Sequence, residues 1–409
     1  MKILNFGSCN IDFVYSVDHI VRSGETITTN KLETFPGGKG LNQSIAISKA
    51  GSNVFHAGCI GTDGKMLKDI LQKNGVDISY LKTVEGKNGH AIIQVNKEGS
   101  NSIFLYPGSN EMVTKDFIDT VLNNFEKDNI ILLQNEISNI DYIVKKAYEK
   151  EMCIMLNPSP FNEKITNLDF KMLSYILLNE VEAEEITGCT SSEECIVYFK
   201  NTYPHLKVIL TLGEKGCIYI DKNSVIRQSA FKVKAVDTTA AGDTFTGYFV
   251  SGISKKENIK DILKTASAAS AIAVSRNGAA PSIPSKDEVI NCIEGLKPND
   301  TNNKSEILLG KIEAYISENF KNASLKDLAL KLGYSSVYTG NLIKKLTGKS
   351  FSKYLQQKRC QYAAKMLLNT DLSIESIIEN AGYENESFFR KIFKEKYGKN
   401  PLEYRKEVK

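Results

Sequence analysis

An alternation of strand and helix patterns runs through the first three quarters of this chain and then stops. Short β-rich runs at residues 2–6, 91–95, 130–133, 153–156 and 208–212 are separated by amphipathic helical stretches such as 40–50 and 66–74. This predicts a parallel sheet wrapped by helices, because parallel neighbours need a crossover long enough to hold one. From residue 307 onward, apolar residues recur at i, i+3, i+4 and i+7, as in Leu325, Leu328, Ala329, Leu332 and in Ile374, Ile377, Ile378, Ala381. That period predicts helices throughout. Between the two regimes, residues 297–306 hold no large apolar side chain and read as a linker. The expected domains are therefore 1–296 and 307–409.

Charge divides at the same place. Residues 1–300 carry 32 Lys+Arg against 36 Asp+Glu, a net −4, whereas 301–409 carry 20 against 12, a net +8. A basic module on an acidic body fits a polyanion partner, and a solvated lysine-rich surface fits the same numbers. With 42% hydrophobic and 24% charged residues the chain falls among folded globular proteins. No run of 18 apolar residues offers a membrane span, and the apolar stretch at 3–6 is too short for a signal peptide. A cytoplasmic protein with no membrane partner is expected. The eight cysteines include no Cys-x-x-Cys pair and read as reduced thiols filling cores, not as zinc ligands.

Two glycine-bearing turns stand just before helical patterns. The first is Gly37, Gly38, Lys39, Gly40, Leu41, Asn42, Gln43. Its glycines allow close backbone approach, and the helix start that follows offers free N–H groups to a polar ligand. It lacks Walker P-loop spacing, and taken alone it also reads as an ordinary tight loop. The second runs Asp237, Thr238, Thr239, Ala240, Ala241, Gly242, Asp243, Thr244, Phe245. Successive amides at such a helix start suit the charge that grows on a transferring phosphoryl group. A carboxylate there, Asp243, is either a helix cap or a general base for a substrate hydroxyl.

In their order and spacing these motifs resemble ribokinases of the PfkB carbohydrate kinase family, over residues 1 to about 295. The resemblance implies an α/β fold: a ribokinase-like parallel sheet sandwiched by helices, with a small β lid built from segments around 13–35 and 89–104. It places sugar contacts on Asn10, Asp12, Gly38, Lys39, Asn42 and Glu136, makes Asp243 the catalytic base, and has Ala240, Ala241 and Gly242 lend amides to an anion hole. Nucleotide contacts would fall on Asn179, Thr211, Gly213, Gly216 and Gly242. Asn179 and Glu182 stand at the Asn-x-x-Glu spacing that the family uses around magnesium and phosphate. An activating potassium ion would be held by Asp237, Thr239, Ala273, Arg276, Gly278 and Ser282, several through backbone carbonyls, a donor set that suits a hard cation. The implied reaction moves the γ-phosphoryl group of ATP to a pentose, D-ribose giving ribose 5-phosphate. The lid would exclude water and pair subunits as a homodimer. Ala240-Ala241 stands where many PfkB relatives carry Gly-Ala, a variant that ribokinases tolerate, which favours their branch over fructokinases and adenosine kinases.

The basic C-terminal region repeats one pattern. Residues 325–336 run helix, glycine turn and polar cap into a second helix at 337–346, and residues 374–386 do the same into 387–397. Gly333 and Gly382 occupy the turns, where a positive φ is expected. Paired in this way, residues 305 to 407 resemble the AraC/XylS transcription regulators, on Ala381-Gly382-Tyr383, on the 387–394 stretch and on Tyr397-Gly398-Lys399-Asn400-Pro401, with Asn400 where the family usually has Thr. This implies an all-α double helix-turn-helix domain whose partner is double-stranded DNA. Candidates for base edges and phosphates are Ser336, Tyr338, Thr339, Asn341 and Lys345 in the first recognition helix, and Glu386, Ser387, Arg390, Lys391 and Lys394 in the second. Phe388, Phe389, Ile392 and Phe393, at helical spacing, are expected in the core. A connecting helix over 351–368 would span roughly 27 Å, against about 34 Å for one turn of DNA.

Three assemblies of these parts fit the sequence. One is an ATP-dependent sugar kinase fused to a DNA-binding regulator of sugar use. Another keeps the architecture but makes the first domain a catalytically idle sugar sensor, or a kinase for another sugar or a nucleoside. In the last, the basic tail only mediates assembly. The presence of Asp243 and Asn179-x-x-Glu182 favours a working kinase, and the paired helix-turn-helix pattern disfavours the assembly tail.

Overall fold

The computed structural model describes residues 1–98, 100–299 and 303–408. The chain forms two compact units, Met1–Ile186 with Phe199–Thr301 and Thr187–Tyr198 with Asn302–Lys409. The strands are β1 (Ile3–Phe6), β2 (Asn10–Ser16), β3 (Lys31–Gly37), β4 (Val54–Ile60), β5 (Asp77–Thr83), β6 (Gly89–Val95), β7 (Asn101–Tyr106), β8 (Ile130–Gln134), β9 (Cys153–Asn157), β10 (Tyr175–Asn179), β11 (Lys207–Thr211), β12 (Cys217–Ile220) and β13 (Val225–Gln228). Helices in the same stretch are α1 (Lys39–Lys49), α2 (Lys65–Lys73), α3 (Lys115–Leu122), α4 (Ile140–Glu149), α5 (Glu163–Thr166), α6 (Glu180–Thr187), α7 (Ser192–Thr202), α8 (Ala241–Ser254), α9 (Ile259–Val274) and α10 (Lys286–Ile293).

Nine strands form one sheet in the order β13-β12-β11-β10-β9-β8-β1-β4-β5. From β11 to β5 every pairing is parallel, and β12 and β13 return as an antiparallel edge. Strands covered on both faces should be apolar throughout, and every residue of β1 and β8 is buried. Two polar side chains break the run, and they do so for a reason. Asn5 Nδ2 donates to Gly40 O (2.7 Å) and Ser44 Oγ (2.8 Å), and Gln134 Nε2 donates to Asn5 Oδ1 (2.9 Å) and Gln43 Oε1 (2.7 Å), so the sheet centre grips α1 through hydrogen bonds. Glycine is what lets α1 lie so close: Gly38 caps it at φ +95°, and a Cβ on Gly40 would meet Ser8 N at 2.3 Å.

The other four strands form the lid sheet, in the order β3-β2-β6-β7, with β2 antiparallel to β3 and parallel to β6. Its two ends of β2 differ in exposure, since Asn10 and Ile11 are buried and the residues beyond are only partly so.

The second unit holds α11 (Asn303–Glu318), α12 (Leu325–Leu332), α13 (Ser336–Thr347), α14 (Phe351–Asn369), α15 (Ile374–Asn380), α16 (Glu386–Tyr397) and α17 (Pro401–Val408). Its described residues gather in two apolar cores. One gathers Ile312, Ile316, Leu328, Ile343, Phe351 and Leu355, and the other Cys360, Ala363, Leu367, Ile377, Ile378, Phe389 and Phe393. Helix α14 enters both, and at 19 residues it is about 28 Å long. It is the spine on which the two helix-turn-helix modules are strung.

The boundaries differ from the expected ones in two respects. The linker is shorter than its composition implied, because Lys232 N–H bonds Lys297 O (2.9 Å), Asn299 N–H bonds Ala230 O (2.7 Å), and α11 already starts at Asn303; residues 300–302 lie outside the described residues. Thr187–Tyr198, expected in the first domain, groups with the helical unit. Within that unit the largely buried Lys358 Nζ lies 3.2 Å from Glu194 Oε1 and 2.9 Å from Glu313 Oε1, so two carboxylates balance one ammonium. Among the described residues no helix is long and apolar enough to cross a membrane. The eight cysteines are free thiols, five of them buried.

Candidate active site and recognition helices

Four neighbouring parallel strands each end on a polar residue: Gln134 on β8, Asn157 on β9, Asn179 on β10 and Thr211 on β11. At such carboxyl ends an open α/β sheet leaves its ligand crevice. Asp243, the third residue of α8 and only 8% exposed, is held there by α1. Its Oδ2 accepts from Asn42 Nδ2 at 3.0 Å and its Oδ1 from Gln43 Nε2 at 2.9 Å. Gln43 Nε2 is also 3.1 Å from Asn157 Oδ1, so both the orienting amide and the carboxylate it orients are anchored to the sheet. Ala240, which precedes α8, is left-handed at φ 60° and offers the first turn no side-chain acceptor. The amides at this helix start therefore have no cap from that position and suit an anion.

The sugar-contact candidates gather beside this carboxylate. Glu136 accepts from the Ser8 hydroxyl and from Lys39 N–H (3.1 Å). Burial pushes the Glu136 carboxyl above the usual range, against the opposing pull of Lys39 and these donors. Asp12 is pushed up to about 7, first by burial and then by the charges of Glu136 and Asp243. Burial alone would lower the Lys39 ammonium, but the carboxylates of Asp243, Glu136 and Glu182 outweigh it and hold it above its ordinary value. Asn10 Oδ1 accepts from Asn110 Nδ2 at 2.7 Å, and Asn10, Asn135, Glu136 and Lys164 line a cavity of about 130 Å³. Four buried oxygens in this region, Asn42 Oδ1, Gln134 Oε1, Asn135 Oδ1 and Thr244 Oγ1, have no hydrogen-bond partner. Buried polar atoms are rarely left so, and a hydroxylated ligand would satisfy them.

Gln43, Ser8 and Asn157, which lie within motifs that the sequence shows but were given no contact of their own, join the site, as does Asn110, which sequence reasoning missed. One signal was available: Asn42, Gln43 and Ser44 are three consecutive polar residues, all buried, in a helix that otherwise buries Leu41, Ile45, Ala46 and Ile47.

The nucleotide candidates are arranged differently from a row of open ligands. Asn179 N–H donates to Glu182 Oε2 (3.0 Å), and Glu182 N–H donates to Asn179 Oδ1 (2.9 Å), a reciprocal cap at the start of α6. The Asn-x-x-Glu spacing thus has a local structural task in this chain. Thr211 Oγ1 donates to Leu178 O (3.1 Å), and Gly216, at φ +109°, sits where a Cβ would meet Gln228 O at 2.0 Å. Gly213 opens the same turn at φ +55°. In the candidate cation loop, Asp237 accepts from Thr239 N–H (2.8 Å) through Oδ1 and from Gly278 N–H (2.9 Å) through Oδ2. Burial would raise this carboxyl, and the hydrogen bonds outweigh it and keep it below the usual range. Ala273 O accepts from Arg276 N–H (3.0 Å), the Arg276 guanidinium lies 2.7 Å from Glu288, and the Ser282 hydroxyl donates to Ala279 O (2.8 Å). Among the described residues no group of three or more His, Cys, Asp or Glu side chains could hold a metal by itself.

In the second unit Gly333 and Gly382 take φ values of +73° and +81°, as the turns require. Ser335 and Asn385 cap α13 and α16 through their side chains. Counting from those caps makes the two helices equivalent position by position. Thr339 and Phe389 are both 0% exposed, as are Ile343 and Phe393. Thr339, expected among the DNA contacts, is therefore a core residue, because the helical period puts it one turn before Ile343 on the buried side of α13. Phe388 departs the other way: Phe389 and Phe393 are buried and Ile392 partly so, but Phe388 is 53% exposed. Ser336, Tyr338, Asn341 and Lys345 are exposed on α13, as are Glu386, Ser387, Lys391 and Lys394 on α16. Arg390 is partly exposed, its Nε 2.7 Å from Glu386 Oε1.

Comparison with known proteins matches residues 1–286 to the pfkB family carbohydrate kinases and residues 328–407 to a helix-turn-helix domain. Ribokinase of Haemophilus influenzae is 33% identical over 297 residues, which cover 70% of this chain and 97% of that protein. The solved ribokinase of Cryptococcus neoformans in complex with ADP is 31% identical with a TM-score of 0.64, over 71% of this chain and 99% of that one. A ribokinase of Arabidopsis thaliana, solved with ribose and ATP, is 26% identical with a TM-score of 0.64, over 72% and 98%.

Proposed function

This chain belongs to the PfkB family of carbohydrate kinases, as an ATP-dependent sugar kinase carrying a fused AraC-type helix-turn-helix domain, and from that premise we propose that it phosphorylates a pentose, D-ribose giving ribose 5-phosphate, and binds double-stranded DNA to regulate sugar use. The observation that carries the kinase half is the meeting of Asp243 with Asn42 and Gln43 across two helices, 3.0 and 2.9 Å from its two carboxylate oxygens. A carboxylate so oriented takes the proton from the primary hydroxyl as that oxygen attacks the γ-phosphoryl group of ATP in line. Asp12, Glu136 and Asn10 accept from or donate to the other hydroxyls. The amides of Ala240, Ala241 and Gly242 would lend the anion hole for the charge that spreads onto the phosphoryl oxygens, with the Lys39 ammonium held nearby by the Asp243 and Glu136 carboxylates.

Two cations fit the donor sets. Glu182 beside Asn179 offers a single carboxylate, and magnesium commonly takes one or two carboxylates with waters and phosphate oxygens completing its shell. The Asp237 carboxylate, Thr239, Ser282 and the carbonyls of Ala273, Arg276 and Gly278 form an all-oxygen set suited to potassium, with the Arg276 guanidinium drawn aside by Glu288. Either ion, when bound, would supply positive charge for the phosphoryl oxygens. Ile103, Phe104, Leu105 and Tyr106 on β7, each more than half exposed, support a homodimer through the lid. ATP and DNA as partners favour the cytoplasm.

The test is ATP-dependent phosphorylation across pentoses, hexoses and nucleosides, with and without potassium. Ribose turning over best, and faster with potassium, is the expected result. A nucleoside or hexose preferred over ribose would overturn the substrate assignment, and ribose bound without turnover would leave a sensor in place of an enzyme.

A further inference from the structure

The two recognition helices share one geometry and present different chemistry. Counting from the caps, Val337 of α13 corresponds to Ser387 of α16, Gly340 to Arg390, Asn341 to Lys391 and Lys344 to Lys394. Helix α13 has no acidic residue and no arginine. At 76% exposure, Val337 is the most exposed large apolar side chain among the described residues. Asn341 stands one turn further along the same face and is also exposed. The lysines at 344 and 345 lie at the far end of that face, exposed. The buried side of the helix, through Thr339 and Ile343, is already engaged in the core.

An isolated valine exposed to this degree costs little, so exposure alone says nothing. Its company says more. A face flanked by lysines and free of carboxylates complements a polyanion. The apolar group and the carboxamide it carries are the two side-chain types that read an A·T pair in the major groove, the first against the thymine methyl and the second bidentate to adenine N6 and N7. Residues i and i+4 are about 6 Å apart along a helix, close to two base-pair steps. On α16 the equivalent face is charged, with Arg390 bound to Glu386 and Lys391 and Lys394 exposed.

Resting on the reading of the second unit as a DNA binder, we propose that α13 recognises an A·T step, Val337 packing on a thymine methyl and Asn341 pairing with adenine. The two half-sites then differ in kind: the one under α13 is specified by A·T contacts, and the one under α16 is read by a charged face. Val337 and Asn341 are the specificity residues of the first half-site, and Lys344 and Lys345 serve its phosphates.

The experiment selects the preferred duplex from a random library with the full chain and measures affinity by fluorescence anisotropy at one fixed salt concentration. Each thymine of the selected site is then replaced by uracil, which keeps the base pair and removes one methyl group. Loss of one buried methyl predicts about fourfold weaker binding at a single position. Val337→Ala should bring that ratio to about one, and Asn341→Ala should relax the preference for A·T over G·C at the neighbouring pair. Lys345→Ala should weaken all duplexes alike and leave the uracil ratio intact. Val337 and Asn341 are surface residues, and equal binding of the variants to random duplex at low salt confirms that they fold. A selected site that tolerates every uracil, or a uracil effect that survives Val337→Ala, overturns the assignment while DNA binding itself stands. A full chain that prefers no sequence over random duplex overturns both.

Discussion

Sugar binding by this protein should weaken below neutral pH, and Asp12 is the group responsible. Its carboxyl is pushed up to about 7 by burial and by the neighbouring charges of Glu136 and Asp243. Strand pairing leaves it no room to escape, since it lies against β3 so closely that a Cβ on Gly37 would meet its Oδ2 at 2.1 Å. A sugar hydroxyl donates to a carboxylate, so the ionised form is the one that binds. With a pKa of about 7, about half the protein is competent at pH 7, about a tenth at pH 6 and about a hundredth at pH 5, and the apparent Kd rises in inverse proportion. The same shift has a second sign. The folded carboxyl holds its proton over a range where the unfolded one, near 3.8, has lost it, so sugar-free protein is stabilised below about pH 4 and loses that contribution as pH rises through 7. Calorimetric titration of ribose without ATP, from pH 5.5 to 8 in two buffers of different ionisation heat, reads both affinity and proton release. About one proton should leave per ribose bound at pH 6, and Asp12→Asn should bind more weakly with a flattened profile. Equal affinity at pH 6 and pH 8, or a slope unchanged in Asp12→Asn, would refute the reasoning.

Other expectations concern single contacts. Gln43→Leu removes one of two donors to the Asp243 carboxylate; at about 1.5–3 kcal/mol for a hydrogen bond to a charged group, kcat/KM should fall about 10- to 150-fold with the fold intact by circular dichroism. Thr339→Val replaces a buried hydroxyl that has no partner, so urea denaturation should show equal or greater stability, by about 1 kcal/mol, and DNA affinity should not change. Phe104→Lys places a charge on the exposed lid strand; sedimentation velocity should show the unaltered chain as the proposed dimer and the variant as monomer, with turnover per subunit kept.

Much of this architecture is legible in the sequence because it is set by period and punctuation. The apolar runs at 130–133 and 208–212 read as strands, buried throughout in β8 and over Val208–Leu210 in β11, and the glycines at 333 and 382 mark where helices break. Other features depend on contacts that sequence distance hides. Asp243 and Gln43 are 200 residues apart, and only the packing of α8 on α1 shows that one orients the other. The Asn179 and Glu182 pair looks like a ligand motif by spacing, yet the same spacing closes a helix cap, and local geometry decides between them. Thr339 and Phe388 were placed on the wrong sides of their helices because the register of a helix is fixed by its cap, and the turn before α16 spans five residues (381–385) against three (333–335) before α13. Nothing in residues 187–198 marks them as part of the helical unit; the balancing of Lys358 by Glu194 and Glu313 becomes visible only in three dimensions.

The most direct test of the account compares Asp243→Asn with the unaltered chain, in ATP-dependent ribose phosphorylation and in ribose binding by calorimetry. Loss of a positioned general base predicts a fall in kcat of about 10²- to 10⁴-fold, with ribose affinity within about threefold. An Asp243→Asn protein that still turns over within tenfold of the original would contradict the assignment of Asp243 as the base on which this site is built.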